Sequence, residues 1–210
     1  MRDGPVSVFI VDDEPEVTAS LAWLLKSVNI PARTFNSPTA FLSAVRTATG
    51  PICAVLDLRM PEMSGLELQQ QLIAEKLEMP LIFLSAHGDV PAAVNAMQMG
   101  AVDFLQKPFN PQNFLKCINR ILRQAKERYD SRERALALRA HLEKLSAREI
   151  EILDALIAGQ TSKEIARRFE ISPRTVDVHR ANIIRKMAVT SSTELLRLLD
   201  RLGYEGGRSA

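Results

Sequence analysis

The sequence predicts an α/β domain built on a doubly wound, five-stranded parallel sheet, followed by an all-α domain. Two patterns point there. Five short, β-branched apolar runs alternate with stretches of helical spacing over the first 125 residues, and beyond Asn110 the strand signal gives way to helices. A length of 210 residues suits two domains of about 100 residues each.

The first run, Val6, Val8, Phe9, Ile10 and Val11, is ended by Asp12 and Asp13, as expected of a strand buried on both faces. Pro15 fits the first turn of the following helix, whose apolar positions Leu21, Leu24, Leu25 and Val28 share a face. Ala32 to Phe35 reads as the second strand, and Ser37-Pro38 opens the next helix. Ile52 to Leu56, Leu81 to Leu84 and Val102 to Leu105 complete the five, with Gly65 and Gly100 marking turns. Pro111 starts a helix carrying Phe114, Ile118, Ile121 and Leu122 on one face, which closes a domain over residues 1–125.

Residues 126–144 read as a helical linker, because Ala125 to Lys144 is rich in Arg, Glu, Ala and Leu and lacks Gly and Pro. Ala125, Tyr129, Leu136, Leu138, Leu142 and Leu145 keep only an imperfect heptad, short of the sustained repeat that marks a coiled coil. Residues 145–210 form the second domain. Four helices announce themselves there by their caps: Ser146 with Glu149, Thr161 with Glu164, Ser172 with Pro173, and Ser191 with Glu194.

Composition narrows the function classes. With 46% hydrophobic and 25% charged residues the chain is an ordinary folded protein. No apolar stretch approaches the roughly 18 residues of a membrane span, and Met1 is not followed by a basic-then-apolar leader, so a cytoplasmic protein without membrane contact is expected. Cys53 and Cys117 lie far apart inside apolar patterns, which favours buried reduced thiols over a disulfide or a zinc site. The net charge of +2 hides an asymmetry: residues 1–125 carry 10 basic and 12 acidic side chains, residues 126–210 carry 17 and 13. Between Thr161 and Met187 there are 7 basic and 3 acidic residues, an excess of 4 positive charges that attracts a polyanion.

Lys163 to Phe169, a tight Glu170-Ile171 break and Ser172 to Met187 have the proportions of a helix-turn-helix. On its second helix Val176, Ile183 and Met187, with His179 or Arg180, make an inward stripe. Arg174, Asp177, Val178, Ala181 and Arg185 are left on another face, suited to a major groove. Phosphate contacts position such a helix and base-edge contacts specify its target. Thr175, Arg180, Lys186, Lys163 and Arg167 are candidate phosphate ligands. Arg174, Asp177, Val178 and Ala181 are candidate base readers, since Arg bridges guanine, a carboxylate accepts from cytosine and Val touches a thymine methyl. His179 and Asn182 have an ordinary packing or capping reading.

In an open parallel sheet, chemistry gathers where strands end at their carboxyl edge. Asp12 and Asp13 end the first strand, Asp57 the third and Ser85 the fourth, while Lys107 follows the fifth. Three neighbouring carboxylates repel one another unless a cation compensates, and hard oxygen ligands beside a phosphoryl group suit Mg²⁺. Asp57, beside such a metal and Lys107, is then placed to act as a carboxylate nucleophile and become an aspartyl phosphate read by Ser85 and Lys107. Singly, Asp13 or Glu14 reads as a helix cap, Asp57 as a loop cap and Phe104 as core. Their convergence with Ser85 and Lys107 at one sheet edge favours the chemical reading. His87 has no apparent partner and is assigned no role.

Val11-Asp12-Asp13, Leu56-Asp57-Leu58-Arg59-Met60-Pro61, Ser85-Ala86 and Lys107-Pro108-Phe109 resemble the response-regulator receiver domain over about residues 5–125. The resemblance implies a flavodoxin-like fold, Asp57 as phosphoacceptor, and Asp12 and Asp13 as its acid pocket. It also implies that Asp12, Asp13, Asp57 and the Arg59 carbonyl surround Mg²⁺, that Ser85, Ala86 and Lys107 meet the phosphoryl oxygens, and that Phe104 is the aromatic switch. The Lys107-Pro108 bond is expected to be cis.

Leu145-Ser146-Ala147-Arg148-Glu149, Gly159, Lys163-Glu164-Ile165-Ala166, Ile171-Ser172, Thr175-Val176-Asp177-Val178-His179 and Ile184-Arg185-Lys186-Met187 resemble the LuxR-type DNA-binding domain over about residues 142–205. Many relatives carry Lys where this chain has Asp177, so the groove contact there is not transferable. With Ala86-His87-Gly88-Asp89-Val90-Pro91 and Asp103-Phe104, the chain is most similar to the FixJ subgroup of NarL-type regulators.

The function implied is a phosphorylation-dependent transcriptional regulator of a two-component system. Its expected partners are a sensor histidine kinase, double-stranded promoter DNA, a second copy of the chain on phosphorylation, and RNA polymerase. The alternatives are a phosphorylation-independent DNA binder using the receiver as a dimerisation scaffold, and a phosphatase-like hydrolase. No second catalytic constellation supports the latter, so the chain is not read as an enzyme.

Overall fold

The computed structural model describes residues 6–86, 90–201 and 203–204; His87, Gly88 and Asp89 lie outside the described residues. The chain divides into two compact units, residues 1–130 and 131–210.

In the first unit, strands β1 (Ser7–Val11), β2 (Ala32–Phe35), β3 (Ile52–Asp57), β4 (Leu81–Ser85) and β5 (Asp103–Gln106) pair in parallel in the order β2-β1-β3-β4-β5. Each is followed by a helix: α1 (Pro15–Ser27), α2 (Pro38–Thr47), α3 (Gly65–Ala74), α4 (Val90–Gln98) and α5 (Pro111–Leu142). Successive side chains point to opposite faces of a strand, so the sheet divides its apolar residues between two cores. Phe9, Val11, Leu56 and Phe83 pack with Phe41 and Leu42 of α2 and Leu68 and Leu72 of α3. Val8, Ile10, Val55, Ile82 and Leu84 pack with Leu21 and Leu25 of α1 and Phe114, Ile118 and Ile121 of α5.

Burial on both faces holds for the three central strands and fails at the edges. Arg33 and Thr34 of β2 are exposed, and β5 is only partly covered, because an edge strand has a neighbour on one side alone. Pro15 occupies the first turn of α1, and Ser37 caps α2 by accepting from the Ala40 N–H at 3.2 Å. Neither Asp13 nor Glu14 caps α1 through its side chain; the Glu14 N–H donates instead to Asp12 Oδ1 at 3.0 Å. The helix opened by Pro111 continues through the segment read as a linker and ends at Leu142. Its Ser131 to Ala137 stretch is exposed.

In the second unit, the last turns of α5 are joined by α6 (Ala147–Ile157), α7 (Ser162–Arg168), α8 (Pro173–Lys186) and α9 (Ser192–Arg201). Leu138, Leu145, Ile152, Leu153, Ile165, Val176, Ile183, Met187, Leu195 and Leu199 form their shared core. Ser146 with Glu149 and Thr161 with Glu164 are complete reciprocal capping boxes. Ser172 accepts from the Thr175 N–H at the start of α8. At α9 only half of the expected reciprocity forms: Ser191 Oγ accepts from the Glu194 N–H at 3.1 Å, whereas the Glu194 carboxylate accepts from Thr190 N and Oγ1. The α7 to α8 turn closes because Glu170 takes a left-handed φ of 54°.

Candidate functional site

Parallel pairing brings the carboxyl ends of β1, β3, β4 and β5 to one rim, so residues up to 95 positions apart meet there. Asp12 and Ser85 are 1% exposed and Asp57 7%, which places two carboxylates in a poorly solvated cleft. The Lys107 ammonium bridges them, with Nζ 2.6 Å from Asp12 Oδ2 and 2.6 Å from Asp57 Oδ1. The other oxygens are held by main-chain donors, Asp12 Oδ1 by Glu14 N at 3.0 Å and Asp57 Oδ2 by Arg59 N at 2.8 Å.

Lys107 itself is placed by two backbone features. Its N–H donates to the Ser85 carbonyl at 2.7 Å, continuing the β4–β5 ladder, and the Lys107-Pro108 bond is cis, as the resemblance implied. Ser85 thus lies beside the bridge. Asp13 is half-buried next to Asp12, Arg59 and Ala86 are exposed, and Phe104 is half-buried against Phe83 with ring centroids 6.4 Å apart.

Burial pushes the Asp57 carboxyl above its ordinary value and the charge of Asp12 adds to this; the hydrogen bonds from Lys107 and Arg59 oppose it without cancelling it. Burial alone would lower the Lys107 ammonium, but its hydrogen bonds to Asp12 and Asp57 together outweigh that and hold it above its ordinary value. The site therefore combines a fixed cation with a poorly solvated acceptor carboxylate.

Among the described residues no three acidic, Cys or His side chains stand grouped so as to cage an ion by themselves. The donor set nevertheless fits a hard dication. Asp12 and Asp57 against Lys107 leave one negative charge uncompensated at an oxygen-lined rim, with Asp13 the next residue along the chain, and Mg²⁺ binds through one or two carboxylates while keeping several waters.

Two contributors were not legible as functional residues. Asn36 Nδ2 donates to the Asp12 carbonyl at 3.0 Å, fixing the end of β1 against the β2–α2 loop. Gly65 opens α3 directly under Asp57: a Cβ there would lie 2.3 Å from the Asp57 carbonyl oxygen and 2.9 Å from Phe83 Cε1. The sequence marks Gly65 only as a turn, and the need for glycine appears once β3 and α3 are packed. Cys53 and Cys117 are free and buried; burial pushes the Cys53 thiol up to about 12, and burial together with the Asp103 carboxylate, to which its Sγ donates at 3.0 Å, pushes Cys117 up to about 11.

In the second unit Val176, Ile183 and Met187 are buried on one side of α8. Arg174, Thr175, Asp177, Val178, Ala181 and Arg185 are exposed on the other, with Lys163 and Arg167 of α7 exposed as well. Val178 is 55% exposed, an apolar group on the same face as Arg174 and Asp177. Two of the expected phosphate ligands are otherwise engaged. Arg180 donates to Ser162 Oγ and Ser192 Oγ, linking α8 to the starts of α7 and α9. Lys186 Nζ lies 2.6 Å from Glu149 Oε2, and Glu149 is 4% exposed. His179 Nδ1 is buried with no hydrogen-bond partner among the described residues, consistent with a packing role.

Known proteins carry both units. The family described as the response regulator receiver domain matches residues 8–119, and the luxR family of bacterial regulatory proteins matches residues 143–199. The chain belongs to the NarL/FixJ family of response regulators. It is a transcriptional regulator of the two-component type, and receiver domains typically bind Mg²⁺ at the phosphorylation site. Over 203 residues it is 41% identical to the response regulator protein TodT of Pseudomonas putida, covering 96% of this chain and 88% of TodT. Over 196 residues it is 40% identical to the transcriptional regulatory protein FixJ of Bradyrhizobium diazoefficiens, covering 93% of this chain and 95% of FixJ. The solved structure of the response regulator StyR is similar at a TM-score of 0.84 and 40% identity, covering 94% of this chain and all of that one. No described helix is long and apolar enough to cross a membrane.

Proposed function

We propose that residues 1–125 accept a phosphoryl group on Asp57 from a sensor histidine kinase and that this controls promoter binding by residues 145–210 through the intervening helix. The observation that carries the reading is the Lys107 ammonium 2.6 Å from both Asp12 and Asp57 at the carboxyl edge of the sheet. Asp57 has the raised, poorly solvated carboxyl of a reactive group and a cation already in place beside it.

In the transfer, an Asp57 carboxylate oxygen forms the new P–O bond while the bond from phosphorus to the kinase histidine nitrogen breaks, and the electron pair stays with the leaving imidazole. Lys107 then exchanges its contact with Asp57 for the phosphoryl oxygens while keeping Asp12. Ser85, whose carbonyl accepts from the Lys107 N–H, and Ala86 beside it lie next to the incoming phosphoryl group, and Phe104 is the aromatic ring next to that movement. Asp12, Asp13, Asp57 and the Arg59 carbonyl would hold Mg²⁺, whose contribution is to neutralise phosphoryl oxygen charge.

Promoter DNA is met by the exposed face of α8, with Arg174, Asp177, Val178 and Ala181 at base edges and Lys163, Arg167 and Thr175 at phosphates, while Arg180 is held by Ser162 and Ser192. A phosphorylated homodimer reading paired half-sites fits this architecture, with RNA polymerase as the downstream partner, and the setting is cytoplasmic.

Incubation of the full chain with acetyl phosphate and Mg²⁺, followed by intact mass measurement, should add one phosphoryl group, and Asp57→Asn should add none. Equal uptake by the variant would sink the assignment. Operator affinity unchanged by phosphorylation would favour the scaffold alternative.

A further inference from the structure

The C-terminal end of the recognition helix α8 is held from two directions. The last four carbonyls of a helix lack intrahelical partners and must find them elsewhere. In α8, Ile183 O accepts from Met187 N at 2.8 Å, Ile184 O from Val189 N at 3.2 Å and Arg185 O from Ala188 N at 3.2 Å, the turn being closed by Ala188 at a left-handed φ of 54°. The remaining carbonyl, Lys186 O, lies 2.8 Å from His141 Nδ1. A carbonyl only accepts, so Nδ1 carries the proton and donates. His141 belongs to the last turn of α5, where the neighbouring Leu138 is buried in the same core as Ile183 and Met187.

The side chain of Lys186 is used at the same point. Its Nζ donates to Glu149 Oε2 at 2.6 Å, and that same oxygen accepts from the Ser146 N–H at 2.7 Å in the capping box of α6. Glu149 is buried and its carboxyl is held below the ordinary value: burial would raise it, but the bonds from Lys186 and Ser146 together outweigh that. A buried carboxylate of this kind needs its cation, so the Lys186 ammonium is not free to reach for a phosphate.

We propose, on the DNA-binding reading above, that Lys186 is a positioning residue rather than a phosphate ligand. Glu149 and His141 clamp it by side chain and main chain, and thereby fix the tilt of α8 in the groove. Through His141 the last turn of α5 is joined directly to the helix that reads DNA. Base readers sit on α8 from Arg174 to Ala181, so a small rotation about its clamped end moves them against the base edges while leaving a diffuse phosphate attraction in place.

The two roles for Lys186 give different signatures. Loss of a phosphate ligand weakens binding to every sequence alike and lowers the slope of log affinity against log salt by about one unit. Loss of a positioning residue lowers specific binding and spares both non-specific binding and the slope. A merely destabilising change lowers both affinities by the same fraction, the fraction folded.

The test uses the full chain, a fluorescent duplex selected from a random pool by the wild-type protein, and a scrambled duplex of equal length. Lys186→Gln and His141→Leu should each reduce the specific-to-scrambled affinity ratio, by roughly threefold to tenfold for the lost hydrogen bond in His141→Leu, with an unchanged salt slope. His141→Asn, whose Nδ2 can stand where Nδ1 stood, should restore the ratio. A salt slope lowered by one unit in Lys186→Gln, an unchanged ratio in His141→Leu, or failure of Asn to rescue would overturn the inference. A wild-type chain that selects no duplex would instead defeat the DNA-binding reading itself.

Discussion

Replacing Gly65 by alanine should damage the phosphoacceptor site through sterics alone. The added Cβ meets the Asp57 carbonyl oxygen at 2.3 Å and Phe83 Cε1 at 2.9 Å, where ordinary contacts begin near 3.4 Å. The closer neighbour is backbone of a central strand, and the other is a fully buried ring, so neither moves aside cheaply. Overpacking typically costs about 1–3 kcal/mol, and a clash with strand backbone belongs at the upper part of that range. At roughly 4 °C per kcal/mol for a domain of this size, the receiver should melt about 10 °C lower. Trp23, the single tryptophan of the chain, is 73% exposed on α1, so the melting of this unit is followed by calorimetry rather than by its emission. Gly50→Ala is the control. Gly50 has a φ of 100° and nothing within 4 Å of its would-be Cβ, so it carries only the backbone penalty of about 1–2 kcal/mol. Any shift of the Asp57 carbonyl also displaces the carboxylate from Lys107, so Gly65→Ala should take up phosphate from acetyl phosphate more slowly than Gly50→Ala. A Gly65→Ala protein that melts no lower than the Gly50→Ala control would refute the reasoning.

Asp57→Asn should raise the receiver melting temperature near pH 7. Burial raises the folded-state pKa of Asp57, so the group stabilises the fold when protonated and loses that contribution as pH rises through the folded pKa; the advantage of Asn should therefore close as pH falls to about 4. A variant less stable than wild type at pH 7 would contradict this, and calorimetry at the two pH values decides it. Glu149 has the opposite sign. Its pKa is lowered on folding, so its contribution is present above the unfolded pKa and lost as pH falls through the folded one. Glu149→Gln should unfold more readily than wild type at about pH 7 and lose that difference toward about pH 3, measured by urea titration followed by circular dichroism. A gap that persists in acid would show that packing, and not the Lys186 pair, is lost.

The central strands were readable because a strand covered on both faces must be apolar throughout, as Ile52 to Leu56 and Leu81 to Leu84 are. The helix starts were readable because a capping box spans only four residues, as at Ser146 and Thr161. The rim chemistry was readable because strand ends fall at one edge of a parallel sheet, which put Asp12, Asp57, Ser85 and Lys107 in one neighbourhood before any distance was known.

The remainder depends on contacts between distant residues. Local pattern could not tell that α5 runs unbroken from Pro111 to Leu142, that Gly65 presses against the Asp57 carbonyl, or that Arg180 turns to two serines. Lys186 and Glu149 are 37 residues apart and His141 and Lys186 are 45, so nothing in either neighbourhood records the bond between them. Periodicity, caps and strand ends are short-range properties written into the chain; which cation meets which buried carboxylate is chosen when the helices close on one another, and tertiary packing alone makes that choice.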